Sequence, residues 1–262
     1  RWIILIAYLM GLSIGVHLLN LLTIPAIVLV YYFRKSEFTW KGFVWALLSS
    51  LFILALLMWG LIPGIVRVSS KIDLLFVNSF NMPANSGLIV HWLVVGALFV
   101  LAIRETLKAE TTSKAGIYAI AAVFAAGIWF ISHSVILNLL FLIALSGGIW
   151  YLSQRSRALL NLSLTIVTVV LIAYSSIAII LIRSSANPPL NENNPSNAFN
   201  LLYYLGREQY GKNPLFYGQY YNAPVVNYYD GRPVYALENG KYVVTHKNME
   251  REYDKRFLTI FP

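Results

Sequence analysis

Residues 11 to 25 read Gly-Leu-Ser-Ile-Gly-Val-His-Leu-Leu-Asn-Leu-Leu-Thr-Ile-Pro and lie within a run, Trp2 to Phe33, that carries no charged side chain. Polar groups at membrane depth are costly, and those retained there usually face a bundle interior or a watery cavity. His17 and Asn20 therefore either line a site or hydrogen-bond neighbouring helices. His91, His133, Arg183 and Glu192 are the other titratable groups expected near the same end of the spans. An arginine at the end of the last span with a histidine nearby offers a phosphate one fixed cation, several donors and a second hydrogen bond. Snorkelling to lipid headgroups is the ordinary alternative for such an arginine. Asn187 to Asn194, rich in Asn and Pro and placed directly after a span, is either an ordered loop whose amides read hydroxyls or a rigid linker. Its one carboxylate, Glu192, suits a base, a metal ligand or a partner for Arg183, but a single carboxylate defines no reaction. The histidines lack i, i+4 spacing, so no metal site is expected.

The elements that must hold these groups are membrane helices. Hydrophobic residues make up 58% of the 262 and charged residues 12%, which places the chain outside the soluble globular class. The net charge of +9 comes without a basic run, so it reads as a topology signal and not as nucleic-acid binding. With no cysteine there is neither a disulfide framework nor a thiolate nucleophile. Charge-free runs cover Trp2 to Phe33, Gly42 to Val66, Leu74 to Ile103, Ala115 to Gln154 and Ala158 to Ile182. One span needs ~20 apolar residues, so the run from Ala115 divides at Ser132-His133-Ser134 and the first run divides in the Gly15 to Asn20 knot. A single helix kinked at Pro25 is the competing geometry for the first run. About seven membrane segments result.

Arg34, Lys35 and Lys41, then Arg104, Lys108 and Lys114, then Arg155 and Arg157 fall on one side by span counting, which the positive-inside rule makes cytoplasmic. The stretch from Arg67 through Gly87, the His133 turn and everything after Arg183 are expected to face outward. The chain divides into a helical membrane domain, 1–183, and a polar cap, 184–262, holding 11 of the 17 tyrosines. Those rings suit sugar or peptide contact, or form the core of the cap and its interfacial belt. Asn194-Pro195 is expected to start a helix over Ser196 to Tyr210. Val234–Leu237 and Lys241–Thr245, joined through Asn239-Gly240, predict a hairpin with a type I′ turn. The fold expected is mainly α, a polytopic membrane bundle with a small mixed α/β extracytoplasmic cap. Arg1-Trp2 enters a span at once and Phe261-Pro262 ends without a tail, as expected of the middle of a longer polypeptide.

The pattern Gly11-Leu12-x-x-Gly15-x-His17-x-x-Asn20, followed by a Pro-bearing apolar arm, resembles the stretch of GT-C type membrane glycosyltransferases where a Gly-Leu pair precedes a polar or cationic residue near the donor phosphate. His17 stands where many of those enzymes carry lysine. Together with Asn187-Pro188-Pro189-Leu190-Asn191-Glu192-Asn193-Asn194-Pro195 and Arg207-Glu208-Gln209-Tyr210-Gly211, it is similar to a bacterial multi-pass family of formerly unknown function related to an animal transmembrane protein O-mannosyltransferase. The resemblance implies transfer of a sugar, mannose for preference, from a polyprenyl-phosphate donor to Ser or Thr of an exported polypeptide. It further implies a bacterial inner-membrane location with a periplasmic cap, no resident cofactor, and an acidic base upstream of Arg1. By analogy His17, Asn20 and Arg183 hold the donor phosphate, with Asn20 orienting His17, while Asn187, Glu192, His91 and His133 shape the sugar or acceptor pocket. A transporter or lipid-handling protein is the alternative, although no internal repeat supports it. A non-catalytic subunit of a surface-assembly complex is the third reading.

Overall fold

The first helix, α1 (Trp2–Val16), stops where the backbone at His17 turns extended, and a 3-10 turn over Leu18–Thr23 leads into α2 (Ile24–Lys35). Pro25 lies in the first turn of α2, where its missing N–H costs nothing, so it starts the helix instead of kinking one. The first apolar run is thus two helices folded back on each other. This is a computed structural model, and it describes residues 2–108, 112–132, 134–208, 214 and 217–262.

A tight turn joins α2 to α3 (Trp40–Ala55), which continues through a π-helical turn at Leu56–Leu61 into α4 (Ile62–Phe80). Pro63 cannot donate to the preceding turn, and the widened π turn accommodates that loss. Arg67 to Asp73, expected as an outward loop, is therefore helix. The spacing of Arg67 and Lys71 puts them on one helical face, so the charges are handled by side-chain partners and not by leaving the helix. The chain reverses at 81–85 instead, with Asn81 and Asn85 both in the left-handed region. After this reversal come α5 (Ser86–Leu107), α6 (Thr112–Ala125), α7 (Val135–Arg155), α8 (Arg157–Tyr174) and α9 (Ala178–Ser185).

Among the described residues five helices are long and apolar enough to cross a membrane: 18–35, 40–80, 86–107, 135–155 and 157–185. At 15 and 14 residues, α1 and α6 fall short of the ~20 that a full crossing needs. The chain is a multi-pass membrane protein, with five such helices where about seven segments were expected. Helix α1 runs alongside α8, with Gly11 against Val170 and Ala173 and Gly15 against Ser176. Ile65, Phe99, Ala102, Ala119 and Ala122 form the middle of the core, each at most 1% exposed.

The basic turns gather at one end of the bundle. Arg157 donates to the Lys108 carbonyl at 2.9 Å, and Asn161 donates to Thr106 Oγ1 at 2.7 Å. Since α1 rises with α8 and α2 returns beside α1, Arg34 and Lys35 come down at that end too. The cap lies at the other end. It contains α10 (Ala198–Leu205) and two antiparallel pairs, β1 (Tyr217–Gln219) with β4 (Leu258–Ile260) and β2 (Val225–Glu238) with β3 (Lys241–Tyr253). Positive φ at Asn239 and Gly240 makes the expected type I′ turn, but the two strands extend far beyond the span that alternation alone suggested. Helix α10 starts two residues later than expected. Asn197 is its cap, accepting from the Phe199 and Asn200 N–H groups, because Asn194 is left-handed and spends its own carboxamide oxygen within the preceding loop.

A Cβ added at Gly11 would sit 2.7 Å from Ala173 Cβ and 2.8 Å from the Val170 carbonyl oxygen. Gly11→Leu is expected to push α1 off α8 and cost about 1–3 kcal/mol. A thermal melt in detergent that is not lowered in this variant would show that the α1–α8 seam is not close-packed.

Candidate functional site

His17 lies at the break between α1 and the 3-10 turn, with an exposed side chain whose Nδ1 accepts the Leu19 N–H at 3.3 Å. That bond caps the turn and leaves Nε2 without a partner among the described residues. Asn20 meets His17 through its backbone, its N–H donating to the His17 carbonyl at 3.1 Å, and not through its side chain. The side-chain amide donates to the Ser13 carbonyl at 3.1 Å and to Ser13 Oγ at 2.5 Å, tying the turn back onto α1. Thr23 Oγ1 donates to the Asn20 carbonyl at 2.7 Å and lies 3.4 Å from the Met10 sulfur. Ser13, Asn20 and Thr23 form the polar end of a cleft of about 420 Å³ between α1 and α2, whose remaining walls are Ile6, Leu9, Met10 and Ile27.

The other expected residues are dispersed. His91 is 3% exposed, with Nδ1 2.8 Å from Ser69 Oγ and Nε2 2.9 Å from the Ala125 carbonyl oxygen. A carbonyl only accepts, so Nε2 carries a proton. Both ring nitrogens are spent holding α4, α5 and α6 together, and His91 offers nothing to a substrate. His133 lies outside the described residues. Arg183, in the last turn of α9, and Asn187 and Glu192 beyond it are exposed. The loop that carries the latter two is internally wired. Ser184 Oγ lies 2.7 Å from Asn191 Oδ1 and 3.1 Å from Asn194 Oδ1, and the Asn191 amide donates to the Ser184 carbonyl and to Asn194 Oδ1, both at 3.1 Å. Those two asparagines are thus used up in building the loop, while Asn187 and Glu192 face outward from it.

The most tightly organised polar group is one the sequence reading passed over. Asp73 is fully buried, and its carboxylate accepts the Gly87 N–H at 2.9 Å, the Asn85 N–H at 3.0 Å and the Tyr242 hydroxyl at 2.7 Å. Two of these donors belong to the start of α5, the third to the cap. Asn78 adds a reciprocal pair, donating to the Tyr242 carbonyl and accepting the Tyr242 N–H, both at 2.8 Å. Asn85 donates to the Ser196 carbonyl at 3.0 Å. Around them Phe199, Tyr203, Tyr235 and Tyr242 pack with Val77, and the Tyr203 hydroxyl accepts the Tyr235 N–H at 2.9 Å.

Two cations border this junction. Lys71 Nζ lies 4.8 Å from the Tyr235 ring centroid and 5.7 Å from that of Phe199. Arg67 sits one turn earlier, 5.7 Å from the Phe130 ring, with Arg232 and Glu208 as charged neighbours. Its Nε is buried without a hydrogen-bond partner. Among the described residues neither cation forms a salt bridge, and Arg67 Nη1 donates to the Phe130 carbonyl at 3.4 Å. Asp73, with three donors on it, ties α4, the start of α5 and the cap together.

Residues 1–40 match the family described as protein O-mannosyl-transferase TMEM260 N-terminal domain. That stretch contains the α1–α2 cleft in full, and the match links the chain to the O-mannosyltransferase family through its cleft-forming end. Residues 211–262 match a family of unknown function, DUF8416, which takes in all the strands of the cap. No curated protein and no solved structure matches the chain.

Burial, and next the hydrogen bond to Asp73 and its charge, push the Tyr242 hydroxyl well above its ordinary value. A group raised on folding contributes stability that is present below its unfolded value, about 10, and is lost as pH rises above it. Cap docking should therefore hold from neutral pH to about 10 and weaken beyond. Tyr242→Phe removes one donor from a buried carboxylate and is expected to cost about 1–3 kcal/mol of docking. Limited proteolysis of the cap measures both effects, and an unchanged cleavage rate in the variant would remove Asp73–Tyr242 as the latch.

Proposed function

We propose that the chain forms the donor-handling membrane portion of a GT-C type, protein O-mannosyltransferase-like glycosyltransferase. The reaction breaks the sugar C1–O bond to the carrier phosphate and forms a C1–O bond to a Ser or Thr hydroxyl of an exported polypeptide. The phosphate leaves on the polyprenyl carrier, and the hydroxyl proton passes to a general base. One observation carries the reading: the residues that match the O-mannosyltransferase domain are those that build an apolar cleft ending in Ser13, Asn20 and Thr23. An apolar groove within a membrane helix pair, closed by hydroxyls and a carboxamide, suits a polyprenyl tail with its head group at the polar end.

In this reading His17 and Arg183 contact the donor phosphate through the unpartnered Nε2 and the exposed guanidinium, and Asn20 holds the turn that presents His17. Arg67 and Lys71 supply further positive charge at the cap end. Asn187 and Glu192 face the sugar or the acceptor. The basic turns lie in the cytoplasm and the cap in the periplasm of a bacterial inner membrane, with the lipid-linked sugar as donor and no resident cofactor.

The test is transfer of mannose from polyprenyl-phosphate mannose to a Ser/Thr-rich exported peptide by the full-length protein in nanodiscs. His17→Ala and Arg183→Ala should each lower turnover by about tenfold or more, ~1.4 kcal/mol of transition-state stabilisation, while remaining folded. Absence of turnover with every lipid-linked sugar tried, in protein that is folded and full-length, would shift the assignment to transport or assembly.

A further inference from the structure

The α2–α3 pair is packed differently from the rest of the bundle. Helix α2 buries only Ile24 and α3 only Ser50, whereas α4 buries residues along its whole length. The pair stands out as a paddle whose sides face lipid and whose tip is the turn between Lys35 and Trp40.

That tip is rigid. The Tyr32 hydroxyl accepts the Thr39 N–H at 3.0 Å and lies 3.2 Å from the Glu37 and Thr39 carbonyl oxygens, while Thr39 Oγ1 caps α3 by accepting the Gly42 N–H at 3.1 Å. Phe33, Phe38, Trp40 and Phe43 form a connected ring cluster, with Phe33 and Phe38 stacked at 6.2 Å and Trp40 edge-on to Phe38 at 5.3 Å. Three of these rings stay exposed, Trp40 at 74%, Phe33 at 53% and Phe38 at 51%, and Phe43 is half-buried.

Charge sets the tip apart. Arg34, Lys35 and Lys41 surround it against one carboxylate, Glu37, and among the described residues none of the three cations is ion-paired. Arg34 and Lys35 complement the C-terminus of α2, as helix dipoles favour. Lys41 does the opposite. It lies in the first turn of α3, where a cation opposes the dipole and no acidic residue compensates. Three exposed cations on one turn, with Glu37 the one carboxylate among them, present a net positive charge to an anion from outside the chain.

We propose that the α2–α3 turn is a binding site for anionic phospholipid headgroups of the bilayer. Lys41, Arg34 and Lys35 take the phosphate, and the ring cluster wedges at the headgroup level, where amphipathic aromatics settle. The bound lipid pins the free end of the paddle, and with it the α2 wall of the cleft.

The full-length protein is placed in nanodiscs containing brominated phosphatidylglycerol or brominated phosphatidylcholine at equal mole fraction, and the Trp40 contribution to fluorescence is isolated by difference from Trp40→Phe. Phosphatidylglycerol should quench Trp40 several-fold more than phosphatidylcholine. The preference should fall as salt is raised and vanish in the Arg34→Gln/Lys35→Gln/Lys41→Gln variant, whose phosphatidylcholine quenching stays unchanged. Equal quenching by the two lipids, or a preference that salt does not reduce, overturns the proposal in the unaltered protein, whether or not the triple variant folds. A preference that survives in a folded triple variant overturns it as well.

Discussion

A carboxylate without solvent dictates how the two parts of this protein meet. Burying an unpaired charge costs several kcal/mol, so Asp73 can exist in the core only if donors surround it. The first two donors come from the reversal at 81–85, which requires left-handed Asn81 and Asn85 to bring the Asn85 and Gly87 N–H groups back over α4. Helix α5 must then begin against α4 itself, and at Gly87 even a Cβ would sit 2.5 Å from Asp73 Cα. The third donor is the Tyr242 hydroxyl, which fixes the β2–β3 hairpin on the end of α4. Satisfying one charge therefore sets the α4–α5 hairpin and the seat of the cap at once.

The sequence revealed those features whose local chemistry has one low-energy answer. Asn239-Gly240 sits between alternating segments and can hardly do anything but turn, and the polar knot at His17 had to interrupt an apolar run too long for one span. Arg67 to Asp73 failed as a loop prediction for the opposite reason. Charge density reads as solvent exposure in a linear scan, whereas in the fold each charge meets a partner distant in sequence: Phe130 for Arg67, Tyr235 for Lys71, Tyr242 for Asp73. The Arg67 and Lys71 spacing was the signal that helix remained possible there. No local pattern announced that Tyr242, 169 residues away, would complete the Asp73 site.

His91 shows why residue type alone misassigns a site. Histidine at membrane depth suggests function by default, yet a histidine that bonds a serine on one helix and a carbonyl on another is an efficient clip for three helices. His17 differs by geometry. Its helix has ended, its ring is exposed, and one nitrogen caps a turn while the other is left over. Of the histidines named from sequence and described in the structure, it alone keeps a nitrogen to offer a ligand at the bundle end.

The break at His17 also explains why a short 3-10 turn is worth keeping where a continuous helix would satisfy more backbone groups. A straight helix through residues 11–25 would place Ser13, Asn20 and Thr23 along one rod, with their polar groups facing lipid or separate neighbours. Folding back instead lets Asn20 reach Ser13 and gathers the three polar residues at one mouth, above the apolar walls of α1 and α2. The same fold-back sends α2 and α3 out as a pair with little else to hold them. The feature that creates an amphipathic cleft is thus also the one that leaves its outer wall thinly packed against the rest of the bundle.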